Sequence, residues 1–373
     1  MDAFSSIYMR ILIVKLSSIG DVVHTLPAAA LLRKHFSDAR ISWVVDPRAS
    51  ALLEDSPVIN EVIQLNTRVL GKGLLNGSPN NELKTQLKKL RNGTSSNGVA
   101  RSDIAIDFQG LIKSGLVAFS SGASRRIGFC AKDLRERASQ MFLNEQVDTT
   151  QRTHVIEKNL ALAQAAIDLE TQSQSAAPTP IHRYEFPIRI SDEDESFADA
   201  TTPTNANPFA IINPGGGWPT KLWPTERYAE LADWLWSDCG LATLVTFGPG
   251  EQSLAQAVAA HARSGQVRSQ PSTLKQFVAL ARRAALFVGG DTGPLHLSAA
   301  SGTPIVSLFG PTSADRNGPF DPRDISVGRD LWCRTDCHRR SCWHWECMDI
   351  SLNDVKQAVL RRLADQRKTD RDS

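Results

Sequence analysis

The chain has 373 residues, of which 41% are hydrophobic, and its formal net charge is +2 at pH 7. This length and apolar content suffice for two hydrophobic cores, since a single domain usually holds about 100–200 residues. The near-neutral balance argues against nucleic acid as a general partner, so an anionic ligand must be held by local clusters of charge.

The N-terminus and the distribution of apolar residues predict a cytoplasmic protein. The first ten residues, MDAFSSIYMR, lack the apolar segment of a signal peptide. No apolar run is long enough to span a bilayer, and six cysteines do not indicate a secreted disulfide scaffold.

In the first part of the chain, short apolar runs alternate with segments of helical spacing. Strands are predicted at 11–17, 41–46, 61–66 and 102–110, and helices at 20–36 and 111–122. Such alternation predicts an α/β fold, in which helices cover both faces of a parallel sheet.

A polar stretch interrupts this alternation and marks a domain boundary. Segments 171–180 and 191–207 are polar and contain proline, and they flank one strand candidate at 182–190. We therefore assign residues 1–185 to a first domain and residues 186–207 to a linker.

The alternation resumes at residue 209. Predicted strands lie at 209–216, 241–248, 286–291 and 304–310, and predicted helices at 226–238, 252–264, 274–284 and 294–301. We expect a second domain over 208–350, followed by a C-terminal helix and tail over 351–373.

The segment 67–101 breaks the pattern of the first domain. It is rich in Gly, Asn and Ser and carries one acidic residue, Glu82, against seven basic ones: Arg68, Lys72, Lys84, Lys88, Lys89, Arg91 and Arg101. Two interpretations remain, a solvated insertion or a basic flap that contacts an anionic partner.

The end of predicted strand 286–291 is suited to bind an anion. Ligands of open parallel sheets bind beyond the carboxyl ends of the strands, where Asp291, Thr292 and Gly293 lead into helix 294–301. Unpaired amides at a helix start attract phosphate, to which Thr292 and Gly293 can donate. Asp291 either caps the helix or accepts from a ribose or base, and the alternative for the whole turn is an ordinary N-cap.

A glycine-rich loop, NPGGGWPTKLWP at 213–224, follows the first strand of the second domain. Its glycines permit close approach of the backbone to a ligand, and Lys221 could bridge two phosphates. The spacing of a P-loop is absent. In the next strand-end loop, Glu251 could accept from two ribose hydroxyls, or it compensates the charge of a helix N-terminus.

The segment KLSSIGDVVHT, at 15–25, follows the first strand of the chain. Gly20 allows a tight turn, and Asp21 and His24 begin the next helix. The Asp21 carboxylate could take a proton from an attacking hydroxyl group, with a helix cap as the alternative. Lys15 can point to the same place. Three later cations are candidates to hold an acidic acceptor: Lys113, Arg125 and Arg126. For Lys113, a solvated helix face is the alternative.

Four cysteines cluster near the C-terminus. They are Cys333, Cys337, Cys342 and Cys347, with His338 and His344 between them. Four thiols so close indicate a structural zinc site or iron–sulfur ligation, although no C-x2-C pair is present. A redox-labile or disulfide pair and unliganded thiols are the alternatives. No other feature requires a metal or cofactor.

Taken together, several motifs resemble those of bacterial lipopolysaccharide heptosyltransferases. They are ILIVKLSSIGDVVHTLPAAALLRKHF, WVVD, FQGLIKSG, RRIGF, INPGGGWPTKLWP and VGGDTGPLHLSAASGTPIVSLFGPT, in order between about Met9 and Leu360. The N-terminal motif is most similar to the heptosyltransferase I type. The resemblance implies a GT-B fold, with two Rossmann-like, doubly wound domains that face a central cleft.

The resemblance also implies an inverting transfer of heptose from ADP-heptose to a lipid-linked acceptor, Kdo-lipid A or a heptosylated core. Asp21 would be the general base. Acceptor-binding residues would be Lys15, Gly20, His24, Lys113 and Arg126. Donor-binding residues would be Gly215, Gly216, Lys221, Glu251, Asp291, Thr292, Gly293 and His296. Such an acceptor implies peripheral attachment at the cytoplasmic face of the inner membrane, with 67–101 as the candidate contact.

Three other functions are alternatives to this one. A different nucleotide sugar or cell-surface glycan would use the same fold. A nicotinamide-dependent oxidoreductase is disfavoured, because neither first strand is followed by G-x-G-x-x-G. A nucleic-acid-binding module is disfavoured by the net charge and the absence of zinc-finger spacing.

Overall fold

The computed structural model describes residues 8–66, 102–171, 184–202, 208–333, 337 and 339–372. The chain divides into two compact units, Met1–Arg189 and Ile190–Ser373. Each unit contains one six-stranded parallel sheet with helices around it, which confirms the predicted α/β class and its two halves. No helix in the described part of the chain is long and apolar enough to cross a bilayer.

The sheet of the first unit has six strands: β1 (Arg10–Val14), β2 (Arg40–Val45), β3 (Glu61–Gln64), β4 (Ile104–Asp107), β5 (Arg125–Phe129) and β6 (Glu145–Val147). Their order is β3-β2-β1-β4-β5-β6, so β1 and β4 are the central neighbours. Both are buried almost throughout, which is why they stand out as continuous apolar runs in the sequence.

Among its described residues, the first unit has the helices α1 (Ile19–Val23), α2 (Leu26–His35), α3 (Pro47–Ser50), α4 (Ile112–Ser120) and α5 (Val155–Thr171). The single helix predicted over 20–36 is in fact two. Pro27 has no N–H to donate to the Val23 carbonyl four residues earlier, so a continuous helix is interrupted at 24–25 and a new one starts with Pro27 in its first turn. The Asn159 amide donates to the His24 carbonyl and the Thr25 hydroxyl at this break.

The second sheet repeats the arrangement of the first. Its strands are β7 (Phe209–Asn213), β8 (Ala242–Phe247), β9 (Val267–Pro271), β10 (Leu286–Gly290), β11 (Ile305–Phe309) and β12 (Ile325–Gly328). The order β12-β11-β10-β7-β8-β9 makes β7 and β10 the central pair. Numbered within its own unit, each sheet has the 3-2-1-4-5-6 order of dinucleotide-binding folds.

The helices of the second unit are α6 (Asp192–Thr201), α7 (Thr225–Cys239), α8 (Gln252–His261), α9 (Leu274–Arg283), α10 (Gly293–Ala300), α11 (Ala314–Asn317) and α12 (Leu352–Asp372). Helix α6 lies inside the segment that we predicted as a linker. The Ser191 hydroxyl caps its start by accepting from the Asp194 amide, and Arg283 of α9 pairs with Glu195 and Asp199. The strand candidate at 182–190 is wrong over 184–190, where no strand forms.

Candidate functional site

Each sheet places the ends of its two central strands side by side. These strands are β1 and β4 in the first unit and β7 and β10 in the second. Ligands of such sheets bind beyond the carboxyl ends of the strands, at the point where the connections reverse direction. Most of the residues predicted from the sequence lie at these two places.

The loop after β1 is tied to the loop after β4. Lys15 Nζ donates to the Phe108 carbonyl at 2.8 Å, and Gln109 Oε1 accepts from the two amides that follow Lys15 at 3.1 Å each. Lys15 is buried, so its charge is enclosed between the loops. Gln109 was not singled out from the sequence, yet it fixes the backbone that leads to Asp21.

Asp21 lies in α1 and is oriented by fixed donors. Its Oδ2 accepts from the Ser18 amide at 2.7 Å and from the Ser18 hydroxyl at 3.0 Å, and its Oδ1 lies 3.4 Å from Lys15 Nζ. The side chain is 35% exposed. A carboxylate held in this way and open to solvent can accept a proton from a bound hydroxyl group. The Ser18 contacts also cap the helix, so the two interpretations of Asp21 are compatible.

Asp107 is a fully buried carboxylate at the end of β4. It accepts from the amides of Gln109 and Gly110 at 2.9 and 3.1 Å and from the Ser114 hydroxyl at 3.0 Å. Burial raises the pKa of Asp107 to about 6, while these hydrogen bonds and the charge of Lys15 limit the rise. Asp107 therefore braces the turn that leads into α4.

Three further predicted acceptor residues lie at this edge of the first sheet. Gly20 is buried in α1, and the buried His24 ends that helix, its ring edge-on to that of His154 at 5.7 Å. Lys113 is half-buried in the first turn of α4, and no acceptor for its ammonium lies among the described residues. The structure thus groups these residues around Asp21.

Arg126 does not belong to this group. It is the second residue of β5 and therefore lies at the amino end of the strand, at the opposite edge of the sheet from Asp21. Its Nε and Nη1 both donate to backbone carbonyls at 2.8 Å. The neighbouring Arg125 is paired with Glu145 and Glu170. The structure thus assigns both arginines to internal contacts rather than to the predicted acceptor site.

In the second unit, Lys221 and Asp291 form a buried ion pair. Lys221 Nζ lies 2.7 Å from Asp291 Oδ2 and donates to the Asp291 carbonyl at 2.9 Å. The same Oδ2 accepts from the Thr312 hydroxyl at 2.8 Å, and Oδ1 lies 3.3 Å from His296 Nε2. The loops after β7, β10 and β11 therefore meet at one carboxylate.

This contact set keeps Asp291 ionised. Burial opposes its ionisation, but the hydrogen bond from His296 and the charge of Lys221 outweigh that effect and hold the pKa of Asp291 well below its usual range. An ammonium has three N–H donors, and Lys221 directs two of them to Asp291. No oxygen or nitrogen acceptor for the third lies in the described part of the chain, and the Trp218 ring centre lies 4.6 Å from Nζ. Asp291 thus holds Lys221 in place for a ligand.

The glycine loop and Glu251 are in direct contact. A Cβ atom at Gly215 would overlap the Glu251 carboxylate, so only glycine allows this approach. Glu251 Oε2 also accepts from the Gly248 amide at 3.3 Å. Next in the loop, a Cβ at Gly216 would lie 2.9 Å from a Leu222 methyl group. The predicted donor residues of the loops after β7 and β8 are therefore adjacent.

Helix α10 begins directly after Asp291. Thr292 is its N-cap, Gly293 is its first residue, and Pro294 occupies the first turn, where a missing N–H breaks no hydrogen bond. The first amides of a helix have no acceptor within it and favour an anion. The Lys221 ammonium contacts Asp291, and α10 starts two residues after Asp291. Together they form one candidate phosphate-binding site.

Asn213, at the end of β7, is a site residue that we did not predict. It is buried, and its Nδ2 donates to the Thr246 carbonyl at 3.0 Å. Its Oδ1 is buried with no hydrogen-bond partner among the described residues. Asn213 is the first residue of the glycine-rich loop, and a donor group of a ligand could satisfy this acceptor.

No cysteine in the described residues forms a disulfide, and all four thiols of the C-terminal cluster are free. A separate group, formed by Cys130, Asp133 and Asp148, brings three ligand atoms within 4.8 Å of one another. Asp133 there accepts from Lys158 Nζ at 2.8 Å and from Thr149 at 2.9 Å, which accounts for its position without a metal. The basic segment 67–101 lies outside the described residues.

Comparisons with known proteins show relatives over most of the chain. The family described as glycosyltransferase family 9 (heptosyltransferase) matches residues 98–344. Lipopolysaccharide heptosyltransferase 1 of Pseudomonas aeruginosa is 28% identical over 354 residues, which cover 94% of this chain and 92% of that protein. Lipopolysaccharide heptosyltransferase 2 of Escherichia coli is 25% identical and covers 84% of this chain and 86% of its own length.

Solved structures show the same fold. The chain is similar to E. coli heptosyltransferase WaaC with ADP at a TM-score of 0.72 and 24% identity, covering 95% of this chain and all of that one. E. coli ADP-heptose lps heptosyltransferase II also gives a TM-score of 0.72, at 22% identity, covering 96% of this chain and 100% of its own. The fold is therefore GT-B, and the chain is an enzyme that belongs to glycosyltransferase family 9, the heptosyltransferases.

Proposed function

We propose that this enzyme transfers heptose from ADP-heptose to the Kdo or heptose residues of the lipopolysaccharide inner core, with inversion at the anomeric carbon. The observation that carries the proposal is the Lys221–Asp291 pair at the start of α10. Support for the donor comes from a similar structure, E. coli heptosyltransferase WaaC with ADP-2-deoxy-2-fluoro heptose. The names of the curated relatives support the acceptor.

The donor diphosphate is proposed to bind at the carboxyl edge of the second sheet. Lys221 and the first amides of α10, with Thr292 and Gly293, supply positive charge where ADP develops negative charge as it leaves. Gly215 and Gly216 let the loop approach the ligand, Glu251 accepts from the ribose hydroxyls, and His296 holds Asp291 in position.

The acceptor is proposed to bind at the carboxyl edge of the first sheet. An acceptor hydroxyl oxygen attacks the anomeric carbon, the bond from that carbon to the phosphate oxygen breaks, and ADP leaves with the electron pair. The Asp21 carboxylate takes the hydroxyl proton. Lys15 orients Asp21, while Lys113, with Gly20 and His24 nearby, meets the acidic sugar. One displacement of this kind inverts the anomeric centre.

The residues proposed for catalysis require no metal or cofactor. Because the acceptor is lipid-linked, we propose peripheral attachment at the cytoplasmic face of the inner membrane. Segment 67–101, with its excess of basic residues, is the proposed contact with anionic lipid.

A donor-binding experiment tests the central assignment. ADP-heptose, but not UDP- or GDP-sugars, should raise the melting temperature of the protein, since a ligand that binds only the folded state stabilises it. Lys221→Ala should weaken ADP binding and turnover together. An unchanged ADP affinity in this variant would remove Lys221 from the phosphate site.

A further inference from the structure

The outer side of α4 carries a stripe of exposed apolar side chains. Ile112 and Phe119 are 36% and 54% exposed, and the half-buried Leu116 lies between them in the sequence. Residues four and three positions apart share one face of a helix, so these three side chains form a continuous stripe. Val117 and Ala118, on the other side of α4, pack in the core of the first unit. The stripe is therefore separate from the face that the fold buries.

The 3-10 helix Arg137–Phe142 lies along the side of α4. Glu136, directly before it, accepts from the Ile112 amide at 2.8 Å through Oε2. One helical turn further along α4, a Cβ atom at Gly115 would lie 2.9 Å from the ring of Phe142, so glycine permits this close approach. The two helices thus form one surface layer that is held together along its length.

The 3-10 helix extends the stripe. The ring centre of Phe142 lies 6.1 Å from that of Phe119, and Met141 is 74% exposed. We call Met141 and Phe142, together with Ile112, Leu116 and Phe119, the apolar patch. Single exposed apolar side chains are common on protein surfaces, whereas contiguous ones mark a surface that binds protein or lipid.

Cations border the apolar patch. Arg135 and Arg137, at the start of the 3-10 helix, are exposed, and no carboxylate among the described residues pairs with either. The carboxylate between them, Glu136, accepts from a backbone amide of α4. At the other end of the patch, the Arg126 guanidinium lies 5.4 Å from the centre of the Phe119 ring. An apolar centre with a basic rim is complementary to an anionic bilayer, whose headgroups carry phosphate above an apolar interior.

The apolar patch begins beside the proposed acceptor site. The loop after β4, where Phe108 and Gln109 bond to the backbone that leads to Asp21, continues into the first turn of α4. That turn contains both Ile112 and Lys113, the cation proposed to meet the acidic sugar. The sugars of a lipid-linked acceptor stand directly above the bilayer, so a lipid-binding surface is expected next to the site that binds them. This link rests on the proposed function.

We propose that the apolar patch docks the enzyme on the anionic surface of a lipid bilayer. Ile112, Phe119 and Met141 enter the boundary between headgroups and acyl chains, and Arg135 and Arg137 pair with lipid phosphates. The contact is peripheral, and its strength depends on buried apolar area and on attraction to anionic lipid. It holds Lys113 and the acceptor loop close to the headgroups. The patch is a second contact in addition to the proposed one at 67–101.

Vesicle co-sedimentation of the full-length protein, without donor or acceptor, tests the proposal. Vesicles of phosphatidylethanolamine with phosphatidylglycerol should bind the wild type, and phosphatidylcholine vesicles should bind it more weakly. Phe119→Gln and Met141→Gln should each lower the partition coefficient about fivefold, because each removes apolar area from the contact. Arg137→Gln should lower it about fivefold on the anionic vesicles only.

Leu169→Gln is the matched control. Leu169 is an apolar residue of α5, 46% exposed, in the same unit but outside the patch, so its replacement should leave vesicle binding unchanged. Circular dichroism would verify that all variants are folded. Equal vesicle binding by the wild type, the patch variants and the control would overturn the proposal.

Two further measurements separate this contact from its alternatives. Phe119→Gln should slow heptose transfer to an acceptor embedded in vesicles and leave transfer to a detergent-dispersed acceptor unchanged. A wild type that transfers heptose but binds no vesicles would overturn the docking proposal alone. Vesicle binding that depends on the patch, without transfer from ADP-heptose, would support docking and contradict the proposed function. A wild-type dimer that Phe119→Gln dissociates, without vesicle binding, would assign the patch to a second copy of the chain instead.

Discussion

Asp21 is the residue on which the proposed chemistry depends most. Two donors from Ser18 and the ammonium of Lys15 orient its carboxylate, and a third of the side chain stays exposed. These contacts are local, since they arise within the seven residues that follow β1. That is why the sequence alone predicts the position of Asp21, although it does not predict the bond from Gln109 that fixes the loop.

Replacing Asp21 with Asn should separate catalysis from binding. The amide keeps the shape of the side chain but does not accept the proton, so turnover should fall by about 10²–10⁴-fold. The dissociation constant for ADP-heptose should change little. Steady-state kinetics and calorimetry would measure both, with the exposed Asp38→Asn as the control. Full turnover in the Asp21 variant would remove this residue from the mechanism.

Because the buried Asp107 carboxyl has a raised pKa, the stability of the folded chain should depend on pH. Its pKa is about 6 in the folded chain against 3.8 when unperturbed, so the folded state binds the proton more tightly. The stability that this proton confers is present below pH 3.8 and is lost as the pH rises to about 6. The free energy of unfolding should fall by roughly 3 kcal/mol over this range, since each pKa unit corresponds to about 1.36 kcal/mol.

Urea unfolding of the wild type and of Asp107→Asn between about pH 4 and pH 7 would measure this effect. The variant should lack the decline in stability, because its amide does not titrate in this range. It can still accept from the Gln109 and Gly110 amides and donate to Ser114. The same pH slope in both proteins would show that Asp107 does not titrate there.

At the scale of elements, a buried ion pair between Arg362 and Asp324 links the last helix, α12, to the residue that precedes β12. The Nε–Oδ1 distance is 2.7 Å, and the two side chains are 2% and 3% exposed. Asp324 also accepts from the Ile305 amide at the start of β11. Burial nevertheless raises the pKa of Asp324 to about 6, so the pairing does not fully offset the desolvation of the carboxylate.

Arg362→Ala should therefore destabilise the second unit strongly. It leaves a buried carboxylate without its partner, which typically costs about 3–5 kcal/mol. Arg323→Ala, which breaks a partly exposed pair with Asp321, should cost no more than about 1 kcal/mol. Thermal unfolding would compare the two variants, and equal losses would contradict the assigned role of the buried pair.

The apolar pattern of the sequence predicts some strands and misses others. β1, β4, β7, β10 and β11 are predictable because burial on both faces makes most of their residues apolar. β5 begins with Arg125 and Arg126, and β9 reads VRSQP, so polar residues conceal both strands. The error at Arg126 follows from this omission, since a strand that begins at Arg125 must place it at the amino edge. The Lys221–Asp291 contact depends on the conformations of two loops, which spacing does not determine.

For the whole molecule, the two units have the same sheet order but carry different chemistry at their carboxyl edges. The first presents a carboxylate, Asp21, and the second a cation, Lys221, with a helix start. In the proposed reaction, the acceptor bound by the first unit must reach the donor bound by the second. The sequence predicts this division of roles from motif order, because parallel sheets bring strand ends to one edge.

ADP should therefore protect one unit in particular. At about 100 times its dissociation constant, a ligand stabilises the folded state by about 2.7 kcal/mol. Hydrogen exchange with and without ADP should show protection at 213–222, 248–252 and 291–296 in the second unit. Protection confined to residues 15–25 and 107–113 would show that the nucleotide binds the first unit, which would contradict the proposed donor site.

The most direct test of the account is mass spectrometry of the product formed from ADP-heptose and Kdo-lipid A. The wild type should add one heptosyl residue to the acceptor and release ADP, and NMR of the product should show an inverted anomeric centre. No transfer from ADP-heptose, together with transfer from a UDP- or GDP-sugar under the same conditions, would contradict the proposed function.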